Sequence, residues 1–174
     1  DAATERSFAA PSLLAEQMKL GRLDAVLTFW PFAARAEAAG ARRVMAVEEA
    51  VAELGIGTGV PYLGYTFSTA WAQRNPETLA SFLAASRQAR GILARSDDEW
   101  RRLRPLTNAT DDGELVKLRD WYRAGMPRQW GTDERDAASK LYALLARIGG
   151  PALVGPAATV PPGIFWPVEW RDAS

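Results

Sequence analysis

The residues with the strongest potential for binding chemistry are Thr28, Phe29 and Trp30, which end an apolar run just before Pro31. In open α/β sheets, ligands bind beyond the carboxyl ends of strands, and these residues would occupy that place. A tryptophan there offers a flat apolar wall and an indole N–H donor. A helix beginning near Pro31 would direct its first N–H groups at an anion. The pattern predicts a small-ligand site. The alternative is that Phe29 and Trp30 fill a core or pack on another surface.

The side chains that the chain lacks exclude most catalytic chemistry. None of the 174 residues is a histidine or a cysteine. Thiol nucleophiles, disulfides, the usual zinc sites, Ser-His-Asp triads and histidine-ligated haem are therefore excluded. Carboxylate or tyrosine chemistry stays open. We expect no catalytic residue, no metal site and no cofactor, and a protein that is not an enzyme.

Three groups of charged residues have ordinary structural explanations. Asp24 is expected to cap a turn or to pair with a nearby arginine. The run Arg101-Arg102-Arg104 is typical of a solvated helix face, with a phosphate site as the alternative. The acids in the segment 111–114 are expected to face a helix dipole, with a cation site as the alternative. Lys+Arg and Asp+Glu both number 21, and no basic stripe stands out, so we expect no nucleic-acid partner.

The composition is ordinary for a soluble globular protein, with 48% hydrophobic and 24% charged residues. Its length suits one domain or part of a larger one. The longest mostly apolar run, Ala25–Ala34, is about half of a membrane span. The first residues, Asp1–Arg6, do not follow the signal-peptide pattern, so we expect a processed, trimmed or internal start.

Strand and helix signals alternate in the first third of the chain, and helix signals dominate afterwards. Strands are predicted at 23–30, 43–47 and 62–68, and helices at 11–20, 31–39, 48–54, 76–94, 97–104, 111–123 and 132–148. Apolar strands separated by helices favour a mostly parallel sheet. The helices outnumber what so small a sheet packs. We therefore expect a helix-rich α/β chain with short, mostly parallel sheet segments that is one piece of a larger protein; a mainly helical fold with a minor sheet is the alternative.

The order of these motifs resembles the solute-binding proteins of bacterial ABC importers, and most closely the nitrate/sulfonate/taurine-binding group and its thiamine-pyrimidine-binding relatives. The resemblance begins at the segment Leu20-Gly21-Arg22-Leu23-Asp24-Ala25-Val26-Leu27 and continues through the step Phe29-Trp30-Pro31. It includes the aromatic segment Tyr65-Thr66-Phe67, the helix start Asn75-Pro76-Glu77 and the capped start Ser96-Asp97-Asp98-Glu99. It covers roughly residues 8 to 166, with the succession of motifs more specific than any one of them.

The resemblance implies part of a two-lobe periplasmic-binding-protein fold of type II. By this analogy, residues 1–60 form the latter half of the second lobe, 61–69 a hinge strand, and 70–174 the C-terminal helical part of the first lobe. Tyr65 and Thr66 on the hinge strand join Thr28, Phe29 and Trp30 as predicted ligand-binding residues. An aromatic that fills the sheet is the alternative role for Tyr65.

The resemblance also implies a function. The protein would be the substrate-binding component of an ABC importer that captures a small solute (a sulfonate, nitrate, a pyrimidine or similar) by hinge closure. Its partners would be the solute, the ABC permease in the membrane, and the missing N-terminal part of the same protein or a second chain. Its location would be periplasmic, after export. The alternative is a non-transport sensor or interaction module built on the same lobe.

Overall fold

The computed structural model describes residues 5–57, 59–60 and 62–172, and most of its regular structure is helical. The helices are α1 (Pro11–Lys19), α2 (Trp30–Ala38), α3 (Val47–Glu53), α4 (Thr69–Arg74), α5 (Pro76–Arg95), α6 (Asp97–Thr107), α7 (Asp112–Ala124) and α8 (Thr132–Val154). Two short strands, β1 (Gln129–Trp130) and β2 (Trp170–Arg171), pair antiparallel. The coarse prediction of a helix-rich α/β chain is confirmed.

Local capping chemistry sets the helix starts. The Ser96 hydroxyl accepts a hydrogen bond from the Glu99 N–H at 3.1 Å, and the Asp111 carboxylate accepts one from the Glu114 N–H at 2.8 Å. Such caps satisfy N–H groups that have no partner within the helix. A proline lies at the first or second position of α1 and of α2. The predicted helix starts are therefore confirmed closely.

The prediction of short, mostly parallel sheet segments is wrong. Within the described residues, the segments 23–29, 43–46 and 62–67 have no strand pairing, and the observed pairing joins Gln129 to Arg171 and Trp130 to Trp170 in antiparallel fashion. A strand-like sequence becomes a strand only beside a neighbour that satisfies its backbone N–H and C=O groups. The residues that the structure describes supply no such neighbour to the three predicted segments.

Contacts divide the chain into two compact units, which we describe separately. Unit 1 comprises residues 1–43 and 80–126, and unit 2 comprises residues 44–79 and 127–174. Helix α5 begins in unit 2 and continues into unit 1. The assignment of 1–60, 61–69 and 70–174 to lobes and a hinge stays a prediction, and its limits at residues 1, 61 and 174 lie outside the described residues.

The centre of unit 1 is the packing of α2 against α7, with α6 beside α7 and α1 beside α2. Its buried apolar residues are Ala34, Trp100, Leu115 and Leu118. The alanine-rich sequence of α2 lets the two helices approach closely, because Ala34 is fully buried with almost no side chain between the backbones. This packing positions the start of α2, where the predicted ligand residues lie.

Unit 2 has a small apolar core beside α8. Val51, Ile56, Val60 and Ala137 are buried, and Leu141 and Leu144 pack against them. At the start of α8, the buried Glu134 carboxylate accepts hydrogen bonds from the Gln129 amide at 2.6 Å and from the Gly131 N–H at 2.7 Å. This carboxylate therefore joins strand β1 to the helix that follows it.

Candidate functional site

Trp30 is the most exposed of three aromatic residues in unit 1 whose rings contact one another in series. Its ring centroid lies 6.0 Å from that of Tyr122, and the Tyr122 centroid lies 5.3 Å from that of the buried Trp100. The Trp100 indole N–H donates to the Leu93 carbonyl at 2.9 Å. Such tilted and edge-on contacts between rings are favourable. Trp30 itself is 40% exposed, so it forms a supported aromatic surface that is open to solvent.

Phe29 and Thr28 lie beside this surface but face different surroundings. Phe29 is 69% exposed and is the residue that precedes α2, to which it contributes no side-chain cap. The Thr28 hydroxyl oxygen is shielded from solvent and has no hydrogen-bond partner among the described residues. An unsatisfied buried hydroxyl costs roughly 1–3 kcal/mol. The segment therefore contains both exposed aromatic surface and an unmet polar group.

Arg35 fixes α2 to the helices beside it. Its Nε donates to the Glu114 carboxylate at 2.6 Å, and its Nη2 donates to the Thr107 carbonyl at 2.7 Å. The other Glu114 oxygen accepts from the Thr110 hydroxyl at 2.6 Å and from the Thr110 N–H at 3.2 Å. Glu114 is only 8% exposed, but its two oxygens have these partners. The network therefore holds the helix that begins with Trp30.

The environment of Glu114 favours its charged form. Burial raises the pKa of this carboxyl group, but the hydrogen bonds from Thr110 and Arg35 and the charge of Arg35 together lower the pKa by more. The net pKa of Glu114 lies below its ordinary value. The ion pair with Arg35 is therefore present at neutral pH.

The C-terminal half of α2 is held by a second polar contact. The Trp121 indole N–H donates to the Glu37 carboxylate at 2.9 Å, and the Lys117 ammonium lies 3.6 Å from the same carboxylate. The Arg43 guanidinium lies 5.0 Å from the Trp121 ring centroid, within range of a cation–π contact. Arg35 and Glu37 thus attach α2 to unit 1 at two points along its length.

Tyr65 and Thr66 belong to unit 2. Both are exposed, in a segment at 62–67 that has no regular secondary structure. The next residue, Phe67, packs edge-on against Trp166 with ring centroids 5.5 Å apart. Of the five predicted ligand residues, Thr28, Phe29 and Trp30 are therefore together in unit 1, and Tyr65 and Thr66 are together in unit 2.

Tyr62, three residues before Tyr65, has a perturbed pKa. Burial raises the pKa of the Tyr62 phenol, and the negative charge of Glu48 raises that pKa further. Because its pKa lies above the ordinary value of about 10, Tyr62 keeps its proton at neutral pH. It remains a neutral hydroxyl donor in unit 2.

Sequence analysis missed Arg35 and Glu114, which position the site. Arg35 occurs in an alanine-rich helix without a partner nearby in the chain, and the sequence pattern around Glu114 indicates only a helix dipole or a cation site. The structure shows that Asp111 is the cap, whereas Glu114 pairs with Arg35 across 79 positions of sequence. The available signal was the presence of two acids beyond the one that the cap requires.

Three further findings concern the chain as a whole. Within the described ranges, no three acidic side chains come close enough together to hold a metal ion. The described helices include none with the length and apolar character needed to cross a bilayer. No protein family and no curated protein sequence matches the chain significantly.

Proposed function

We propose that the protein is the solute-binding component of a bacterial ABC importer, with a two-lobe fold of type II of which this chain forms part. The solute would be a small anion or heterocycle, such as a sulfonate, nitrate or a pyrimidine. The observation that carries the proposal is the exposed Trp30 ring, supported from behind by Tyr122 and Trp100. A rigid aromatic wall at a helix start suits a planar or anionic ligand.

The contacts that hold Trp30 in place are expected to favour ligand binding. Side chains that are already ordered lose less conformational entropy when a ligand binds. The contacts of Arg35 with Glu114 and of Trp121 with Glu37 hold α2, so Trp30 is positioned before any ligand arrives. Phe29, which is 69% exposed, extends the apolar surface beside it. Capture would be binding without covalent chemistry, followed by delivery to a membrane permease after export.

The test is a thermal-shift screen with taurine, other sulfonates, nitrate and pyrimidines. A solute at 100 times its Kd stabilises the folded state by about 2.7 kcal/mol, which raises Tm by roughly 5–10 °C in a chain of this size. Trp30→Ala is expected to remove the shift. Trp71→Ala is the matched control, since Trp71 is 38% exposed but lies in unit 2. The absence of a shift with every solute, or an equal loss in both variants, would contradict the proposal.

A specific observation also favours the second candidate function, an interaction module. Within the described residues, the strand-like segments 23–29, 43–46 and 62–67 have no strand partner, and several of their apolar side chains are strongly exposed, among them Leu27 (86%), Val44 (76%) and Leu63 (90%). Unpaired extended segments of this kind pair readily with another chain. We therefore infer a second role in association with a polypeptide.

A further inference from the structure

The segment 24–28 combines the features of a strand that lacks its neighbour. It lies between a bend at Asp24 and the start of α2 at Trp30. From Val26 to Phe29 the exposure alternates, since Leu27 and Phe29 are exposed whereas Val26 and Thr28 are partly buried; Asp24 and Ala25 are both exposed. The backbone at Phe29 is extended, with φ −72° and ψ 151°. This period of two is the spacing of a β-strand.

The backbone of this segment is available for pairing. Among the described residues, no N–H or C=O group of residues 23–28 forms a hydrogen bond. The exposed side chains Leu27 and Phe29 are apolar, and so is the partly buried Val26 on the opposite side. A strand with apolar residues on both faces is typical of the interior of a sheet. The segment therefore presents backbone N–H and C=O groups with which a further strand could pair, and apolar side chains that could contact those of that strand.

The sequence of the segment complements itself when two copies run antiparallel with Val26 opposite Val26. In that register, Ala25 lies opposite Leu27, and Leu23 lies opposite Phe29, so that apolar residues meet on this face, on which Leu23 is partly buried and the other three residues are exposed. On the other face, Asp24 lies opposite Thr28. The acidic side chain thus meets a hydroxyl and not a second charge.

This register also supplies what Thr28 lacks. The Thr28 hydroxyl has no hydrogen-bond partner among the described residues. The carboxylate of Asp24 from a second copy is an acceptor on the same face of the paired strands. A change of the χ1 rotamer would turn the hydroxyl, now shielded from solvent, towards that acceptor. Two such contacts form at once, because a twofold axis through Val26 relates them.

We propose that residues 24–28 pair with the same residues of a second copy of this chain, as an antiparallel two-stranded interface centred on Val26. This proposal rests on the second candidate function and names its partner. Trp30, which carries the proposed solute site, lies outside the paired residues, and Leu27 of the paired segment is not a predicted ligand residue. Trp30→Ala therefore tests solute binding and Leu27→Lys tests the interface, so that the two failures are distinguishable.

The chain contains no cysteine, so single cysteines report the register directly. Residues directly opposite each other in antiparallel strands have Cα atoms about 4.5–5.5 Å apart, within the range of a disulfide. Val26→Cys is therefore expected to give a disulfide-linked dimer under mild oxidation. Asp24→Cys is the register control. Its two copies would be offset by four residues, or roughly 14 Å at about 3.4 Å per residue, which is beyond disulfide reach.

A mixture of Asp24→Cys and Thr28→Cys chains adds a positive control, since these residues are opposite each other in the proposed register. It is expected to form a mixed disulfide, although Asp24→Cys alone does not. Equal cross-linking of Val26→Cys and Asp24→Cys, or no cross-linking of Val26→Cys beyond that of the exposed control Leu63→Cys, would overturn the proposal.

Sedimentation of the unmodified chain is the second measurement, and it does not depend on a cysteine variant folding. The expected mass is twice 19.0 kDa. Leu27→Lys is expected to restore the mass of one chain, because it places a charge in the apolar face of the interface. Leu63→Lys, at an exposed extended position in unit 2, is expected to leave the dimer intact. A wild-type chain that sediments as a monomer, or that pairs only with a different polypeptide, would overturn the proposal.

Discussion

Glu114 is the buried charge that most directly holds the proposed solute wall. Its carboxylate binds Arg35 of α2 and Thr110, and its exposed fraction is 8%. Removing the charge leaves the Arg35 guanidinium with only its bonds to carbonyl groups. Since the Arg35 side chain is 32% exposed, water replaces part of what is lost. We expect Glu114→Gln to lower the free energy of unfolding by about 1–3 kcal/mol, measured by urea denaturation.

The pH dependence of stability tests the same contact. The folded-state pKa of Glu114 lies below its unfolded value, so its stabilising contribution is complete above the ordinary pKa of about 4.3. The contribution is lost as the pH falls through the lowered folded-state pKa. The wild-type chain is therefore expected to lose more stability than Glu114→Gln as the pH falls from about 6 to about 3. Glu16→Gln removes an exposed carboxylate and is the control; equal slopes for the wild type and Glu114→Gln would contradict the account.

A substitution at Thr28 is expected to raise the free energy of unfolding, whereas Glu114→Gln lowers it. Valine has the shape of threonine without the hydroxyl group, and the Thr28 hydroxyl has no partner among the described residues. Thr28→Val is expected to raise the free energy of unfolding by about 1 kcal/mol when the chain is measured as a monomer at high dilution. Thr66→Val, at an exposed position, is expected to change it by less than about 0.5 kcal/mol. A destabilised Thr28→Val would mean that the hydroxyl has a partner in solution.

At the scale of elements, helix α8 contains a kink that depends on one glycine. Gly150 has φ 59° and ψ −161°, which side chains with a Cβ rarely adopt. The Tyr142 hydroxyl, on the helix before the kink, donates to two carbonyl groups after the kink. It lies 2.9 Å from that of Val154 and 3.0 Å from that of Ala157. These hydrogen bonds of Tyr142 therefore hold the residues after the kink against the helix that precedes it.

Two variants test the kink at Gly150 and the hydrogen bonds of Tyr142 separately. Gly150→Ala is expected to destabilise unit 2 by roughly 1–3 kcal/mol, because the backbone conformation is strained for alanine. Tyr142→Phe is expected to cost about 1 kcal/mol and to increase amide hydrogen exchange at residues 154–160. Gly64→Ala, at a glycine with open space and no positive φ, is the control. Unchanged stability in Gly150→Ala would show that the kink is not formed in solution.

The elements that sequence predicts well are those whose causes are local. The caps at Ser96 and Asp111 and the proline at the start of α5 act within one turn, so the chain itself determines where these helices begin. The strands depend on distant neighbours. Residues 23–29 have strand composition but no partner in the described part of the chain, whereas the two-residue strand β1 is too short to have a pattern.

In the candidate site, too, some features have local causes in the sequence and others depend on distant contacts. Trp30 and Phe29 could be chosen from sequence because an aromatic pair before Pro31 stands out, and the structure leaves both exposed. Their support could not be predicted. The contact of Trp30 with Tyr122 and the pairing of Arg35 with Glu114 join residues far apart in sequence. Such contacts depend on how α2 packs against α7, which no local pattern specifies.

For the whole molecule, balanced charge and exposed apolar surface point to association through short-range contacts. The 21 basic and 21 acidic residues cancel, so no net charge steers a polyanion to the chain. Many large apolar side chains are exposed in each unit, including Phe8 and Leu27 in unit 1 and Leu63 and Ile148 in unit 2. Strongly exposed large apolar side chains of this kind are available for contact with a ligand or a second chain. Solute capture at Trp30 and strand pairing at Val26 are the two uses that we propose for it.

The indole N–H signals of the chain provide the most direct test of solute capture. A nitrogen-labelled sample is expected to give one such signal for each of the seven tryptophans, and Trp30→Phe identifies the one that belongs to Trp30. Titration with the sulfonates, nitrate and pyrimidines is expected to shift the Trp30 signal until it saturates, while the Trp71 signal stays in place. A Trp30 signal that does not move with any of these solutes would contradict the account.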